Sequence, residues 1–128
     1  MIIPATFQAL EQLTGYMMQL TARLEPETSS QLVLAIHELC MNIVQHSYAG
    51  ETGMIEVHGH WNGDRLELIL RDTGSHAYER PDVIKPPNIF DFPESGWGIY
   101  IVHQVMDSVK YERFAGHNQW SLVKQFSR

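Results

Sequence analysis

Two polar side chains on one predicted helix could contact a metal-bound polyanion. Glu38 and Asn42 lie four positions apart in the segment LVLAIHELCMNIVQHSY, which runs from Leu32 to Tyr48. In a helix this spacing places both side chains on one face, one turn apart and beside the apolar stripe. A carboxylate and a carboxamide in this arrangement can approach a metal-bound polyanion from one side. The structural alternative is an ordinary solvated Glu and Asn pair, and the spacing alone leaves both interpretations open.

A second candidate group comes after a predicted strand. Asp72 lies at the strand end and Gly74 follows two residues later. A buried carboxylate can accept a hydrogen bond from the exocyclic amine of adenine, and a glycine beside it lets a flat base approach the backbone. The alternative is a plain turn, because Asp and Gly are common turn residues.

A third candidate group begins a later predicted helix. Gly96 and Gly98 leave backbone N–H groups unhindered where the helix dipole is positive, which suits phosphate oxygens. A plain N-terminal turn is the alternative here. Neither the six-residue dinucleotide fingerprint nor the lysine-bearing phosphate loop is present.

Two helices are predicted before any strand. Residues 1–5 read as a short apolar lead in which Pro4 suits the first turn of a helix. Apolar residues then recur at helical spacing from Phe7 to Leu24, and this helix should end near Glu25 and Pro26. Hydroxyls in residues 27–30 can cap the second helix, which carries Glu38 and Asn42.

A sheet and a third helix are predicted for the rest of the chain. Residues 54–61 and 65–71 alternate as strands around the turn Asn62-Gly63-Asp64, and two further strands follow the helix that starts at Gly96. Residues 75–95 show little periodicity and contain four prolines, so we expect a lid over a site. The expected fold class is therefore α+β, a two-layer sandwich within a single domain spanning residues 1–128.

Composition limits the classes of partner. The net charge is −6 and the nine basic residues are scattered, which argues against direct nucleic-acid binding. The single cysteine, Cys40, cannot form an internal disulfide and is expected to pack in the core in a reducing compartment. No leader and no apolar run of spanning length is evident, so we expect a cytoplasmic protein without a membrane segment.

The three groups occur in an order that resembles the GHKL, or Bergerat, ATP-binding fold. The ordered motifs are Glu38-x-x-x-Asn42, Asp72-x-Gly74, the lid, and Gly96-x-Gly98 at a helix start. Within that fold the chain looks like the anti-sigma-factor serine/threonine protein kinase branch. The resemblance covers nearly the whole chain and implies a mixed, mostly antiparallel sheet.

The resemblance also implies a role for each residue. Asn42 would hold Mg²⁺ that bridges the phosphates of ATP or ADP, and Glu38 would accept the proton of an incoming serine hydroxyl. Asp72 would bind adenine beside Gly74. The backbone of the Gly96-x-Gly98 motif would cradle the phosphates.

The implied function is that of an enzyme and a regulator in a partner-switching module. It would phosphorylate a serine of a small anti-anti-sigma (STAS-type) antagonist and, in another state, hold a sigma factor or related regulator; a homodimer is expected by resemblance. One alternative is a non-catalytic module whose partner binding responds to nucleotide. Another is a detached ATP-binding domain that phosphorylates histidine on a separate protein.

Overall fold

The computed structural model describes residues 1–45, 53–72, 96–114 and 116–126, which form helices beside one sheet. In chain order the elements are β1 (Ile2–Pro4), α1 (Leu10–Leu20), α2 (Pro26–Ile43), β2 (Met54–Asn62), β3 (Arg65–Asp72), α3 (Gly96–Val105), β4 (Ser108–Phe114) and β5 (His117–Gln125). The α+β class predicted from the sequence is confirmed. None of the described helices is long and apolar enough to span a membrane.

The sheet has the strand order β1-β2-β3-β5-β4, and every pairing between the described strands is antiparallel. The predicted turn between β2 and β3 is present, with Gly63 at a φ of 63°. Gly116, between β4 and β5, has a φ of 78°. Both turns need a backbone conformation that glycine adopts without a steric cost.

The prediction for the first five residues is wrong. Ile2–Pro4 is an edge strand rather than a lead into a helix, and Ile3 pairs with Ile55 of β2. The Met1 ammonium group donates to the Val57 carbonyl at 2.9 Å. Three residues are too few to show strand alternation, and an edge strand tolerates the missing N–H of Pro4. A strand therefore precedes both helices.

The first helix is shorter than predicted. It ends at Leu20, and the hydroxyl of the following Thr21 donates to the Met17 carbonyl at 2.7 Å. Phe7 lies before the helix and is half exposed. The apolar spacing thus continued beyond the helix at both ends.

The second helix begins earlier than predicted. Pro26 occupies its first turn, where the missing N–H costs no hydrogen bond, so the residues expected to cap the helix lie inside it. The expected apolar stripe is confirmed. Its buried members are Leu32, Ala35, Ile36, Leu39, Ile43 and Val44.

The core lies between the helices and one face of the sheet. Alternate residues of β2, β3 and β5 are buried, including Val57, Leu68 and Leu122. The intervening residues, such as His58 and Ile69, face away from the helices and are exposed. This one-sided burial gives the two-layer arrangement that positions the candidate site.

Candidate functional site

Asp72 is a buried carboxylate at the end of β3. Only 1% of the residue is exposed, and it pairs in register with Ile55 on one side and Asn118 on the other. The Asn118 side-chain amide donates to Asp72 Oδ1 at 3.0 Å. Burying a charged group costs free energy unless it is hydrogen-bonded, so this amide stabilises the carboxylate in place.

Asn118 is itself held by two side chains of β4. Its Oδ1 accepts hydrogen bonds from the Tyr111 hydroxyl and, at 3.0 Å, from Arg113 Nη1. Asn118 is completely buried. A polar network therefore runs from the edge strand β4 through β5 to Asp72.

The charge of Asp72 acts on Cys40, in the C-terminal part of α2. Burial raises the pKa of the Cys40 thiol, and the negative charge of Asp72 raises it further. A charge acts on the thiol in this way only when the two groups are close. Cys40 is thus a neutral, buried core residue, as predicted.

Helices α2 and α3 pack against each other. Thr28, Gln31 and Leu34, in the N-terminal half of α2, share a groove with Ile101, Gln104 and Val105, at the C-terminal end of α3.

Glu38 and Asn42 lie on the face of α2 that contains Gln31. They follow Gln31 by seven and eleven positions, close to two and three full helical turns. Gln31 lines the groove toward α3, so both residues lie on that side of the helix. Asn42 is 5% exposed and Glu38 is partly exposed. This face of α2 presents a carboxylate and an amide on the side of the helix where Gln31 lines the groove shared with α3.

Gly96 and Gly98 lie in the first turn of α3. The first N–H groups of a helix have no partner within the helix, and the dipole there favours negative charge. Gly74 and the predicted lid, residues 75–95, lie outside the described residues. The described residues include a buried acceptor, a carboxylate and amide pair, and a helix N-terminus, and each of these groups suits the amine or the phosphates of a purine nucleotide.

Sequence reasoning missed Asn118 and its two donors. Asn118 is the second residue of β5, which begins at His117 directly after the turn at Gly116. The missed signal was the alternation, since Asn118 occupies the same face as the buried Trp120 and Leu122. A polar residue in a core-facing row is unusual enough to suggest a partner.

A two-layer sandwich with a buried strand-end carboxylate, a polar helix face and a glycine-bearing helix start agrees with the nucleotide-binding class of domain that the motifs resemble. The family model described as the histidine kinase-like ATPase domain matches residues 3–124. The chain belongs to that family, which confirms the resemblance identified from its motifs.

Relatives of the serine kinase branch match part of the chain. The serine-protein kinase RsbW of a Bacillus cereus strain is 33% identical over 85 residues, which cover 60% of this chain and 52% of that protein. RsbW of Bacillus mycoides is also 33% identical over 85 residues, with the same coverage. The chain spans about half the length of the curated relatives it matches.

Solved structures show the same fold. The RsbU and RsbW domains of a Mycobacterium tuberculosis protein superpose with a TM-score of 0.65 at 17% identity, covering 100% of this chain and 32% of that one. The histidine kinase AdeS of Acinetobacter baumannii gives a TM-score of 0.57 at 15% identity, covering 78% of this chain and 48% of that one.

Proposed function

We propose that this chain is an ATP-dependent serine-protein kinase and anti-sigma factor, or a related regulator, in a partner-switching module. Its substrate is a serine of a small antagonist protein of the anti-anti-sigma type. Membership of the ATPase family supports nucleotide binding, and the relatives named serine-protein kinase support the serine substrate. The observation that carries the proposal is the buried carboxylate of Asp72, whose burial has no evident benefit for stability.

The nucleotide base is assigned to the end of β3. Asp72 accepts a hydrogen bond from the adenine amino group, and Gly74 shapes the pocket beside it. The Asn118 amide keeps the carboxylate in place. Because a carboxylate only accepts hydrogen bonds, it favours a base that presents an amine over one that presents a carbonyl oxygen.

The phosphate end is assigned to the two helices. Asn42 holds the magnesium ion that accompanies the phosphates, and the first-turn N–H groups at Gly96 and Gly98 cradle phosphate oxygens. Glu38 accepts the proton of the serine hydroxyl. Mg-ATP, when bound, would supply the γ-phosphoryl group and would leave as Mg-ADP. Such a transfer depends mainly on positioning and charge neutralisation, so few protein groups are needed.

A kinase assay on the co-purified partner tests this proposal. The full chain is captured from its native host, bound proteins are identified by mass spectrometry, and the sample is analysed again after Mg-ATP is added. We expect a small antagonist protein to acquire an acid-stable phosphoserine. The Glu38→Gln variant should retain nucleotide binding but lose at least about 100-fold in phosphorylation rate, a typical contribution of a general base.

Glu27→Gln is the matched control, because Glu27 lies in the first turn of the same helix, far from the proposed site. It should phosphorylate at the wild-type rate. Acid-labile product would instead identify a histidine kinase domain. Nucleotide-dependent partner binding without any phosphate transfer would identify a non-catalytic module, and an unchanged melting curve at millimolar Mg-ATP would contradict nucleotide binding altogether.

A further inference from the structure

Three neighbouring strands contribute one residue each to a polar row beside the proposed base pocket. Asp72 of β3 pairs with Asn118 of β5, and Asn118 pairs with Arg113 of β4. Directly opposed residues in an antiparallel sheet point to the same face, so all three side chains lie on the helix-covered side. The proposed adenine acceptor is therefore connected to the edge strand of the sheet.

The donors on β4 determine which way the Asn118 amide faces. The Arg113 guanidinium has only donors, so the group that faces it must be the amide oxygen. The Tyr111 hydroxyl donates to that same oxygen. The amide nitrogen must then face Asp72, where it donates to Oδ1. With one carboxylate oxygen held, the rotation of the carboxylate is restricted.

Tyr111 is in turn held by an aromatic neighbour. Its ring centroid lies 4.9 Å from that of Trp120, with the rings tilted by 50°. Trp120 is 2% exposed and lies next to Asn118 on the buried face of β5. A packed aromatic pair restricts the rotamer of both rings, so the hydroxyl that contacts Asn118 has little freedom to move.

We propose that Asn118, oriented by Tyr111 and Arg113, is a positioning residue that sets the preference of this site for 6-aminopurine nucleotides. It acts through Asp72, by restricting the rotation of the carboxylate that accepts the amino group. The inference rests on the proposed function, since it assumes that Asp72 binds adenine. It adds a specificity determinant on strands β4 and β5 that the sequence motifs do not include.

The test compares two nucleotides that differ only at position 6 of the base. Dissociation constants of the full-length chain are measured for ADP and for purine riboside 5′-diphosphate, which carries hydrogen in place of the amino group. The readout is the dissociation constant for purine riboside 5′-diphosphate divided by the dissociation constant for ADP. Asn118→Asp replaces the donor with an acceptor at constant size, and the ratio should fall about tenfold. Tyr111→Phe keeps the Arg113 hydrogen bond, and the ratio should fall about threefold.

Tyr16→Phe is the matched control. The Tyr16 hydroxyl accepts the Gly59 N–H at 2.9 Å, away from Asp72. Its loss should lower the melting temperature and leave the ratio unchanged, because general destabilisation weakens the binding of both nucleotides equally. Tyr111→Phe removes a single oxygen and keeps the packing against Trp120, so it gives a measurement even where Asn118→Asp does not fold.

Asp72→Asn separates the two levels of the proposal. If it removes the discrimination while Asn118→Asp and Tyr111→Phe keep the wild-type ratio, the role of Asn118 is overturned and the adenine assignment stands. If Asp72→Asn itself keeps the wild-type ratio, the adenine assignment fails and the inference fails with it.

Discussion

The two ends of the β2–β3 ladder use polar groups in opposite ways. At one end, Asp72 and Asn118 are buried in the row that also contains Ile55. At the other end, near the Gly63 turn, exposed or partly buried polar contacts join Leu20, the last residue of α1, and the nearby Arg23 to the hairpin. Contacts of this kind are explained by local stability. A buried carboxylate is not, since apolar residues of similar size often stabilise such a position as well or better.

The turn end is held mainly by packing around one tryptophan. The Trp61 indole N–H donates to the Leu20 carbonyl at 2.9 Å. The centroid of the Trp61 ring lies 5.5 Å from the centroid of the Phe126 ring. The Arg23 guanidinium lies over the Trp61 ring at 3.7 Å from the centroid. These contacts tie the end of α1 to the hairpin. The comparison therefore predicts that substitutions at the turn end change stability alone, whereas those at the Asp72 end change ligand binding.

The largest effect is expected for Asp72→Asn. The amide would present a donor where the adenine amine also donates, so the dissociation constant for ADP should rise about 100-fold, equivalent to about 3 kcal/mol. Titration calorimetry measures the constant. Asp64→Asn is the matched control at the turn end, where Asp64 lies 3.7 Å from Arg23 and is partly exposed. A comparable loss of affinity in Asp64→Asn would remove the distinction between the two ends.

A smaller effect, confined to stability, is expected for Gly59→Ala. An added Cβ would lie 2.4 Å from Leu20 Cδ2 and 2.7 Å from Leu68 Cδ2. These are the ends of flexible side chains that can shift, so we expect a loss of about 2 kcal/mol in the free energy of unfolding. Urea denaturation measures it, and the affinity for ADP should not change.

Gly15→Ala is the control for that substitution. Nothing lies within 4 Å of a Cβ at Gly15, which is inside α1. Alanine there should raise the free energy of unfolding by about 0.5–1 kcal/mol, because glycine is a poor residue for a helix interior. An equal loss of unfolding free energy in Gly59→Ala and Gly15→Ala would show that the contact with Leu20 and Leu68 is not the cause of the destabilisation.

The smallest effect is expected for Arg23→Ala. The guanidinium stacks on Trp61 and Nη2 donates to the Gly63 carbonyl at 2.9 Å, and together these contribute about 1 kcal/mol to stability. The ion pair with Asp64 is exposed and contributes little. Arg23→Lys should therefore lose most of the same amount, because lysine keeps the charge but lacks the planar group. Full stability in Arg23→Lys would assign the effect to charge instead, as read from thermal melts.

The sequence predicted the long elements well because each has a period of its own. The apolar stripe of α2 and the alternation of β2 and β3 are local patterns, and the structure confirms them. β1 has only three residues, and its partner lies more than fifty positions away, so no local pattern could reveal it. Helix ends were also misplaced, since Pro26 starts α2 rather than ending α1.

The residues of the candidate site also differ in whether a local sequence pattern can reveal them. Glu38, Asn42 and the glycines at 96 and 98 could be proposed from the sequence because their spacing on one element, or at one helix start, is visible in the chain. The contribution of Asn118 depends on a register between β3 and β5 across 46 positions, and sequence alone does not give that register.

The spacing between Asn118 and Trp120 restricts which insertions β5 can accept. Asn118 faces inward because it is an even number of positions from Trp120, and side chains on a strand alternate between its two faces. One extra residue between Asn118 and Trp120 would leave Trp120 and Leu122 buried but would direct the Asn118 side chain toward solvent. The parity of this short stretch, more than its composition, decides whether an amide reaches the carboxylate.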